Sequence, residues 1–342
     1  MSCCFIVPPD VLERLARDKS LSADERRSLL DTLRFEKEWR RLRDANVRAS
    51  AARALLANAA PANGSAPPPS VLVYDCAHGT SLPGKPVAAP GNDTTSKNVF
   101  VETRAVAEFY KAVFVRNSVD NAGMSLLSSV HFSVNYNNAF WDGAQRTYGD
   151  GDGRIFLDFS RGNDVIGHEL THGVTQFTAQ LGYKNEAGGL NESISDVFGS
   201  MFRQWQANQT VAQADWRIGR DICGPAAIAK GYACLRDMAN PGAKHCLAPQ
   251  PAHFSKYQAG MDPHYSSGIP NLAFYKAAAA IGGHSWENAG KIWYDALTTF
   301  PPAPNLKMSA FAKRTRSLAS SLFPSAPAIA NAVDAAWTAV GL

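Results

Sequence analysis

The sequence predicts an α+β chain in which a strand-rich half is followed by a mainly helical half, with a small helical segment in front of both. Three observations predict it. Residues 10 to about 56 carry a helical pattern and run into A-A-P-A-N-G-S-A-P-P-P-S (59–70), a Pro/Ala/Gly/Ser composition that makes exposed linkers. From Val71 to about Asp158, short alternating runs broken by Gly and Asn read as strands and turns. From Asp164 onward, long helical periodicities dominate. Strands and helices segregated in this way mark the α+β class.

Each element has its own signal. In the front segment, Ser22 and Glu25 form a capping-box pair ahead of S-L-L-D-T-L-R-F-E-K-E-W-R-R-L. V-L-V-Y-D (71–75) and S-S-V-H-F-S-V-N-Y (128–136) alternate as strands do, and a helix is expected near 101–115. Y-G-D-G-D-G (148–153) has the opening of a calcium loop, but a loop begun at Asp150 needs Glu at its twelfth position and finds Arg161. A turn between strands is expected there. Helices are expected over 164–181, 189–207, 268–281, 285–298 and the Ala-rich 327–340. The division that results is a helical segment 1–58, a linker 59–70, a strand-rich lobe with a central helix 71–185, and a helical lobe 186–342.

Composition excludes several functions. At 342 residues and 45% hydrophobic the chain is long enough for roughly two or three packed domains. The net charge is only +4, and residues 1–60 hold 12 Lys/Arg against 9 Asp/Glu, which leaves the remainder close to neutral. No basic stripe interleaved with aromatics points to nucleic acid. No apolar run reaches the roughly 20 residues that span a membrane. M-S-C-C-F-I-V-P-P-D lacks a positive n-region and its apolar stretch stops at Pro8-Pro9, so no standard signal peptide is seen. Synthesis in the cytoplasm is expected, with any export by a non-standard route. The six cysteines show no C-x-x-C spacing and are expected to be mainly free thiols, with a pairing among Cys223, Cys234 and Cys246 left open.

The chemistry concentrates in V-I-G-H-E-L-T-H-G-V (165–174). Residues four apart share a helix face, so His168 and His172 can reach one ion while Glu169 stands at its edge as a base. A catalytic zinc needs three protein ligands and an open position. In G-G-L-N-E-S-I-S-D-V-F-G (188–199), Glu192 supplies a carboxylate. Asp196, four residues on, supplies a second to accept the far N–H of a ligand histidine. A catalytically silent zinc module and a cleft that binds peptides without turnover are the competing readings. Glu169 speaks against the first, since structural zinc needs no base beside an open position.

H-E-L-T-H and G-G-L-N-E-S-I-S-D, preceded by Y-N-N-A-F-W-D-G (136–143) and Y-G-D-G-D-G and followed by P-H-Y-S-S-G-I-P-N (263–271), resemble the thermolysin family of zinc endopeptidases over about residues 71–340. Metzincins fit less well, because their extension wants Gly and His where this chain has Thr175 and Thr178. The resemblance implies a two-lobed fold with a cleft between the lobes, and one zinc held by His168, His172 and Glu192, with Asp196 behind His168 or His172. It implies Glu169 as general base, and His264 and Tyr183 as donors to the developing oxyanion. Asn138 and the backbone of Ala139 would bind the extended peptide, and Arg236 the carbonyl on the primed side. Phe156, Val165, Ile218, Ile222 and Leu235 would line an apolar pocket, giving cleavage before bulky hydrophobic residues. The family's D-x-G-G-V-H is shortened here to D-P-H, which leaves open whether Asp262 orients His264.

F-I-V-P-P-D-V-L-E-R-L (5–15) resembles the opening of the short precursor segment of protealysin-like members. This implies an autoinhibitory prodomain in the cleft, removed by cleavage within 59–70, with Cys3 and Cys4 as candidate thiolates near the metal. The family's calcium site beside the active-site helices uses carboxylates at positions matching Asp164, Arg203, Asp215, Arg217 and Arg220, three of them arginine here. The usual calcium is therefore expected to be absent, replaced by ion pairs of Arg203, Arg217 and Arg220 with Asp164, Asp215 and Asp221.

Overall fold

A computed structural model of the chain describes residues 4–39 and 67–342. Six strands form one mixed sheet in the order β1-β5-β6-β4-β2-β3: β1 Cys4–Phe5, β2 Val71–Asp75, β3 Lys85–Pro86, β4 Leu126–Val130, β5 Ala139–Trp141 and β6 Arg146–Tyr148. β2 runs parallel to β4 in the register Val71↔Leu126 to Asp75↔Val130, and β4 parallel to β6, while β5 pairs antiparallel with both β6 and β1. Helix α1 (Pro9–Ala16) and helix α2 (23–39) belong to the front segment. In α2 the capping box forms as expected, with Ser22 N–H donating to Glu25 Oε2 at 2.6 Å and Glu25 N–H to Ser22 Oγ at 3.2 Å.

Helix α3 (Thr94–Phe114) packs on β2, β4 and α4 (Asn163–Gln176), and α4 lies along α5 (Asn185–Gln206). Beyond these come a two-stranded ribbon of β7 (Arg217–Ile218) and β8 (Arg236–Asp237), the short helices α6 (Pro225–Ala229) and α7 (Pro263–Ser266), and α8 to α11. The last four span Gly268–Ile281, Asn288–Thr299, Met308–Leu322 and Pro327–Ala339. Trp293 of α9 stacks on Trp337 of α11 at 5.8 Å, and the Trp337 indole donates to Thr315 Oγ1 of α10 at 2.8 Å, which ties the helical lobe together.

Several expectations are corrected. The third helix begins at Thr94 rather than near 101, because Asp93 caps it through Ser96 N–H at 2.8 Å while its first turns, T-T-S-K-N, are too polar to show an apolar stripe. The strand expected over 128–136 ends at Val130, where His131, Ser133 and Asn135 take left-handed φ values that no strand continues through. The central helix ends at Gln176 rather than 181, and α5 starts at Asn185. α10 was not anticipated. Its buried face, Met308, Phe311, Ala312, Thr315 and Ala319, recurs at helical spacing that the sequence reading passed over. The front segment is not purely helical, since it contributes β1 to the sheet of the following lobe. The part of that segment and linker over 40–66 lies outside the described residues.

Y-G-D-G-D-G is a turn, as expected. Asp152 Oδ1 accepts from the backbone N–H groups of Arg154 at 2.9 Å and Ile155 at 2.7 Å, which uses the carboxylate as a local cap.

Candidate active site

The site is built on the contact between α4 and α5. A side chain on Gly199 would place its Cβ 2.5 Å from Asp164 O and 3.1 Å from His168 N, and one on Gly167 would sit 3.0 Å from Gly199 Cα. Two glycines facing each other let the backbones approach, so that His168 and His172 of α4 lie over Glu192 and Asp196 of α5. All four side chains are fully buried.

Each imidazole is held from behind. His168 Nδ1 donates to Asp196 Oδ1 at 2.9 Å, and His172 Nδ1 lies 2.9 Å from Asn191 Oδ1 and 3.0 Å from Ser195 Oγ. Asn191 is itself oriented by its own Nδ2, which donates to Leu181 O at 3.0 Å. With both Nδ1 atoms occupied as donors, both Nε2 lone pairs face inward, 3.1 Å from each other and 3.4 and 3.5 Å from the Glu192 oxygens. Two inward lone pairs and a buried carboxylate repel one another unless a cation sits between them. Glu192 Oε2 has no hydrogen-bond partner, and neither does either oxygen of fully buried Glu169. The residues therefore fit a tetrahedral N,N,O metal with its fourth position open.

Burial and charge set the titration of these groups. Burial pushes Glu169 up to about 8, only partly offset by His168, and pushes His172 down to about 3. Burial also opposes a charge on His168, but its hydrogen bonds to Asp196 and Glu192 outweigh it and hold the ring at about 10, so a proton on Nε2 stands where a metal would and metal binding releases it.

Tyr183, between α4 and α5, donates its hydroxyl to Glu192 Oε1 and lies 3.3 Å from His264 Nε2. Asp262 Oδ1 is 2.7 Å from His264 Nδ1, so the shortened D-P-H still orients the ring. His264 Nε2 donates to the carbonyl oxygen of Phe5. With acceptors on both nitrogens the ring carries both protons and a positive charge.

Arg236 is fully buried and bidentate on Asp196, at 2.8 and 2.7 Å, and its third contact is Ile6 O at 2.9 Å. Asn138 accepts from Val7 N–H at 2.9 Å and donates to Val7 O at 3.0 Å, while Ala139 O accepts from Ile6 N–H at 3.1 Å. The sheet edge, Arg236 and His264 thus all engage one stretch of chain, residues 5–7. Ile6, Val7, Val11 and Leu12 share a contiguous buried cluster with Phe156, Val165, Ile218, Ile222 and Leu235. From α2, the Phe35 ring meets Phe132 at 4.8 Å and Tyr136 at 5.6 Å, and Glu36 Oε1 accepts from Asn138 Nδ2 at 2.7 Å.

On the far side of α4, Arg203 bridges Asp164 at 3.4 Å and Asp221 at 2.7 Å. Arg217 meets Asp215 at 2.8 Å, and Arg220 meets Asp215 and Asp221 at 2.8 and 3.0 Å. Cys76, Cys223, Cys234 and Cys246 are free thiols, with the Cys234 and Cys246 sulfurs 3.7 Å apart, and Cys4 takes part in no disulfide among the described residues. Cys3 lies outside the described residues.

Residues 65–176 match the sequence family described as thermolysin metallopeptidase, catalytic domain, and residues 179–342 match thermolysin metallopeptidase, alpha-helical domain. The chain belongs to the thermolysin family. It is a zinc-dependent neutral metalloendopeptidase of that family, with the thermolysin-like fold. The chain is 40% identical over 283 residues to an extracellular metalloprotease of Pectobacterium carotovorum subsp. carotovorum, covering 79% of this chain and 80% of the relative. It is also 40% identical over 287 residues to protease PrtS of a Photorhabdus species, covering 79% and 76%. Among solved structures it superposes on the precursor of protealysin, a metalloproteinase from Serratia proteamaculans, with a TM-score of 0.83 at 36% identity over 99% of both chains.

Three site residues of this thermolysin-family chain escaped the sequence reading. Asn191 was visible only as a helix cap, yet it lies inside α5 and holds His172. Ser195 stood unremarked within N-E-S-I-S-D. Asn271, whose Nδ2 donates to Asp196 Oδ2 at 2.9 Å, comes from α8 and gave no local signal.

Proposed function

We propose that this zinc endopeptidase is made as a precursor with an autoinhibitory prodomain over about residues 1–58, and that it cleaves on the N-terminal side of bulky hydrophobic residues. The observation that carries the reading is the stretch of residues 4–7, which begins with β1. It adds antiparallel to the edge strand β5, with Val7 held at both N–H and O by Asn138, the Ile6 carbonyl on Arg236 and the Phe5 carbonyl on His264. Strand addition to a sheet edge is how extended peptides bind such clefts. In that alignment Ile6, an aliphatic β-branched residue buried with Val165, Ile218 and Leu235, stands where the residue after the scissile bond would stand.

The roles follow from the same alignment. His168, His172 and Glu192 would hold zinc, with Asp196 and the Asn191/Ser195 pair fixing the rings. Bound there, the metal supplies Lewis acidity and acidifies water. Glu169 takes the proton of the attacking water and delivers it to the leaving amine, a task suited to a carboxylate raised toward neutrality by burial. His264 and Tyr183 donate to the oxyanion. Arg203, Arg217 and Arg220 occupy, with Asp164, Asp215 and Asp221, the position where relatives would bind calcium, since three guanidinium groups and a hard cation cannot share it. No helix among the described residues is long and apolar enough to cross a membrane. We read the substrates as peptides met outside the cell, in line with the relative named as an extracellular metalloprotease.

The test is a panel of quenched peptides, assayed with full-length and processed protein. Processed protein should cleave before Leu, Ile or Phe, lose activity on zinc chelation and in Glu169→Gln, and exceed the full-length chain in activity. A full-length chain as active as the processed one overturns the prodomain reading, and equal cleavage before Gly or Asp overturns the specificity.

A further inference from the structure

The N-terminal strand lies in the cleft with the polarity of a substrate, and its Phe5–Ile6 bond is where a scissile bond would be. Phe5 O faces His264 and Ile6 O faces Arg236, while Glu169 is buried nearby with both oxygens unpartnered. A strand so placed ought to be cut. Something must therefore keep water from the fourth metal position.

Cys4 is placed to do this. Its register partner is Trp141, and Phe5 pairs with Phe140, ring to ring at 5.3 Å. Because strand side chains alternate, Phe5 points into the aromatic cluster of Phe132, Tyr136 and Phe140, and Cys4 points to the opposite face together with Ile6. The Cys4 sulfur and the ligand atoms of His172 and Glu192 all lie within 4.8 Å of one another, and Cys4 is 1% exposed. Donors around a tetrahedral zinc are roughly 3 to 4 Å apart, given metal–ligand distances of about 2.0 to 2.3 Å. The sulfur is thus one small side-chain adjustment from coordination. Glu192 Oε2, which takes part in no hydrogen bond, leaves a buried lone pair for a cation on this side of the site.

We infer that in the full-length chain the Cys4 thiolate is a fourth protein ligand of the zinc held by His168, His172 and Glu192, and that this bond is the latch of the precursor. The inference rests on that ligand set. On coordination the thiol proton leaves to solvent and no redox partner is needed, because zinc binds thiolate in preference to thiol. A closed Cys/His/His/Glu centre has no place for water, so the Phe5–Ile6 bond survives beside its own general base. When the strand leaves, sulfur leaves with it and the fourth position opens to solvent.

The test uses full-length protein in a Glu169→Gln background, loaded with one equivalent of cobalt(II), whose visible bands report tetrahedral binding and whose near-ultraviolet charge-transfer band reports a sulfur ligand. The expected result is both signals in the parent and in Cys3→Ser, and loss of the sulfur band with retention of the visible bands in Cys4→Ser and Cys4→Ala. With Glu169 intact, Cys4→Ala should hydrolyse a quenched peptide several-fold faster than the parent before any processing. Visible bands without a sulfur band in the parent overturn the latch while sparing the ligand set. A sulfur band that survives Cys4→Ala and disappears in Cys3→Ser or Cys234→Ser also overturns it. If cobalt gives no visible bands and His168→Ala changes nothing, the ligand set itself fails and the latch falls with it.

Discussion

Arg236→Met separates what Arg236 does for the fold from what it does for the cleft. The guanidinium and Asp196 form a fully buried, bidentate pair at 2.8 and 2.7 Å. Removing one partner of a buried pair costs about 3–5 kcal/mol, because the other charge is left uncompensated. Asp196 keeps His168 Nδ1 and Asn271 Nδ2, each at 2.9 Å, which places the expected loss near the lower end, about 3 kcal/mol. The third contact, to Ile6 O at 2.9 Å, is a charge-assisted hydrogen bond worth about 1.5–3 kcal/mol. Its loss should weaken inhibition of the processed enzyme by a synthetic peptide of residues 4–16 by roughly tenfold to a hundredfold. Urea unfolding of full-length protein in the Glu169→Gln background gives the first quantity and inhibition constants give the second. Adding Asp196→Asn completes a double-mutant cycle, in which a coupling of about 2 kcal/mol or more is expected. A loss under about 1 kcal/mol, additive energies and unchanged inhibition would together refute the assignment.

Gly199→Ala places a methyl 2.5 Å from Asp164 O and should cost about 2–3 kcal/mol while lowering zinc retention on dialysis. Gly242→Ala, whose new methyl meets nothing closer than 3.8 Å, should leave zinc retention unchanged. His131 is held up at about 9 by its hydrogen bond to Asp150. A histidine raised in the folded state contributes stability that is fully present below about pH 6.5 and is lost as pH rises through 9. Unfolding free energy should therefore fall between those values by about 1–2 kcal/mol, after solvent screening of a part-exposed ring, and His131→Gln should flatten the slope. Arg203→Ala leaves fully buried Asp164 without its counter-charge, although Gly219 N–H still donates to it at 2.8 Å, and should destabilise by about 2–4 kcal/mol. In the parent, neither calcium nor a calcium-selective chelator should move the thermal midpoint, and a large shift with either would show that a calcium site persists.

What could be read from the sequence was what repeats at helical spacing. His168 and His172 share a face because they are four apart, and so do Glu192 and Asp196, so the donor set emerged before any fold was known. The arginines at 203, 217 and 220 were legible only against the family resemblance, which has carboxylates at the matching positions, and they form ion pairs with Asp164, Asp215 and Asp221 as expected. Contacts that depend on distant chain could not be read. β1 is two residues long and finds its partner in Trp141 and Phe140, far along the chain, so no local period announces it. Asn191 looked like a cap because Asn before an apolar run usually is one. Only the approach of α4 to α5 turns it toward His172. The T-T-S-K-N start of α3 is polar, so the Asp93 cap and not an apolar stripe marks where the helix begins.

The donor set of α4 and α5 is expected to hold one metal, covered by the chain's own N-terminal strand. Anomalous scattering at the zinc edge from crystals of the full-length Glu169→Gln protein tests it most directly. One dominant peak is expected, bounded by His168 Nε2, His172 Nε2 and the Glu192 carboxylate, with residues 4–7 lying across it. A dominant peak elsewhere, for example at Cys234, His245 and Cys246, with none between α4 and α5, would contradict it.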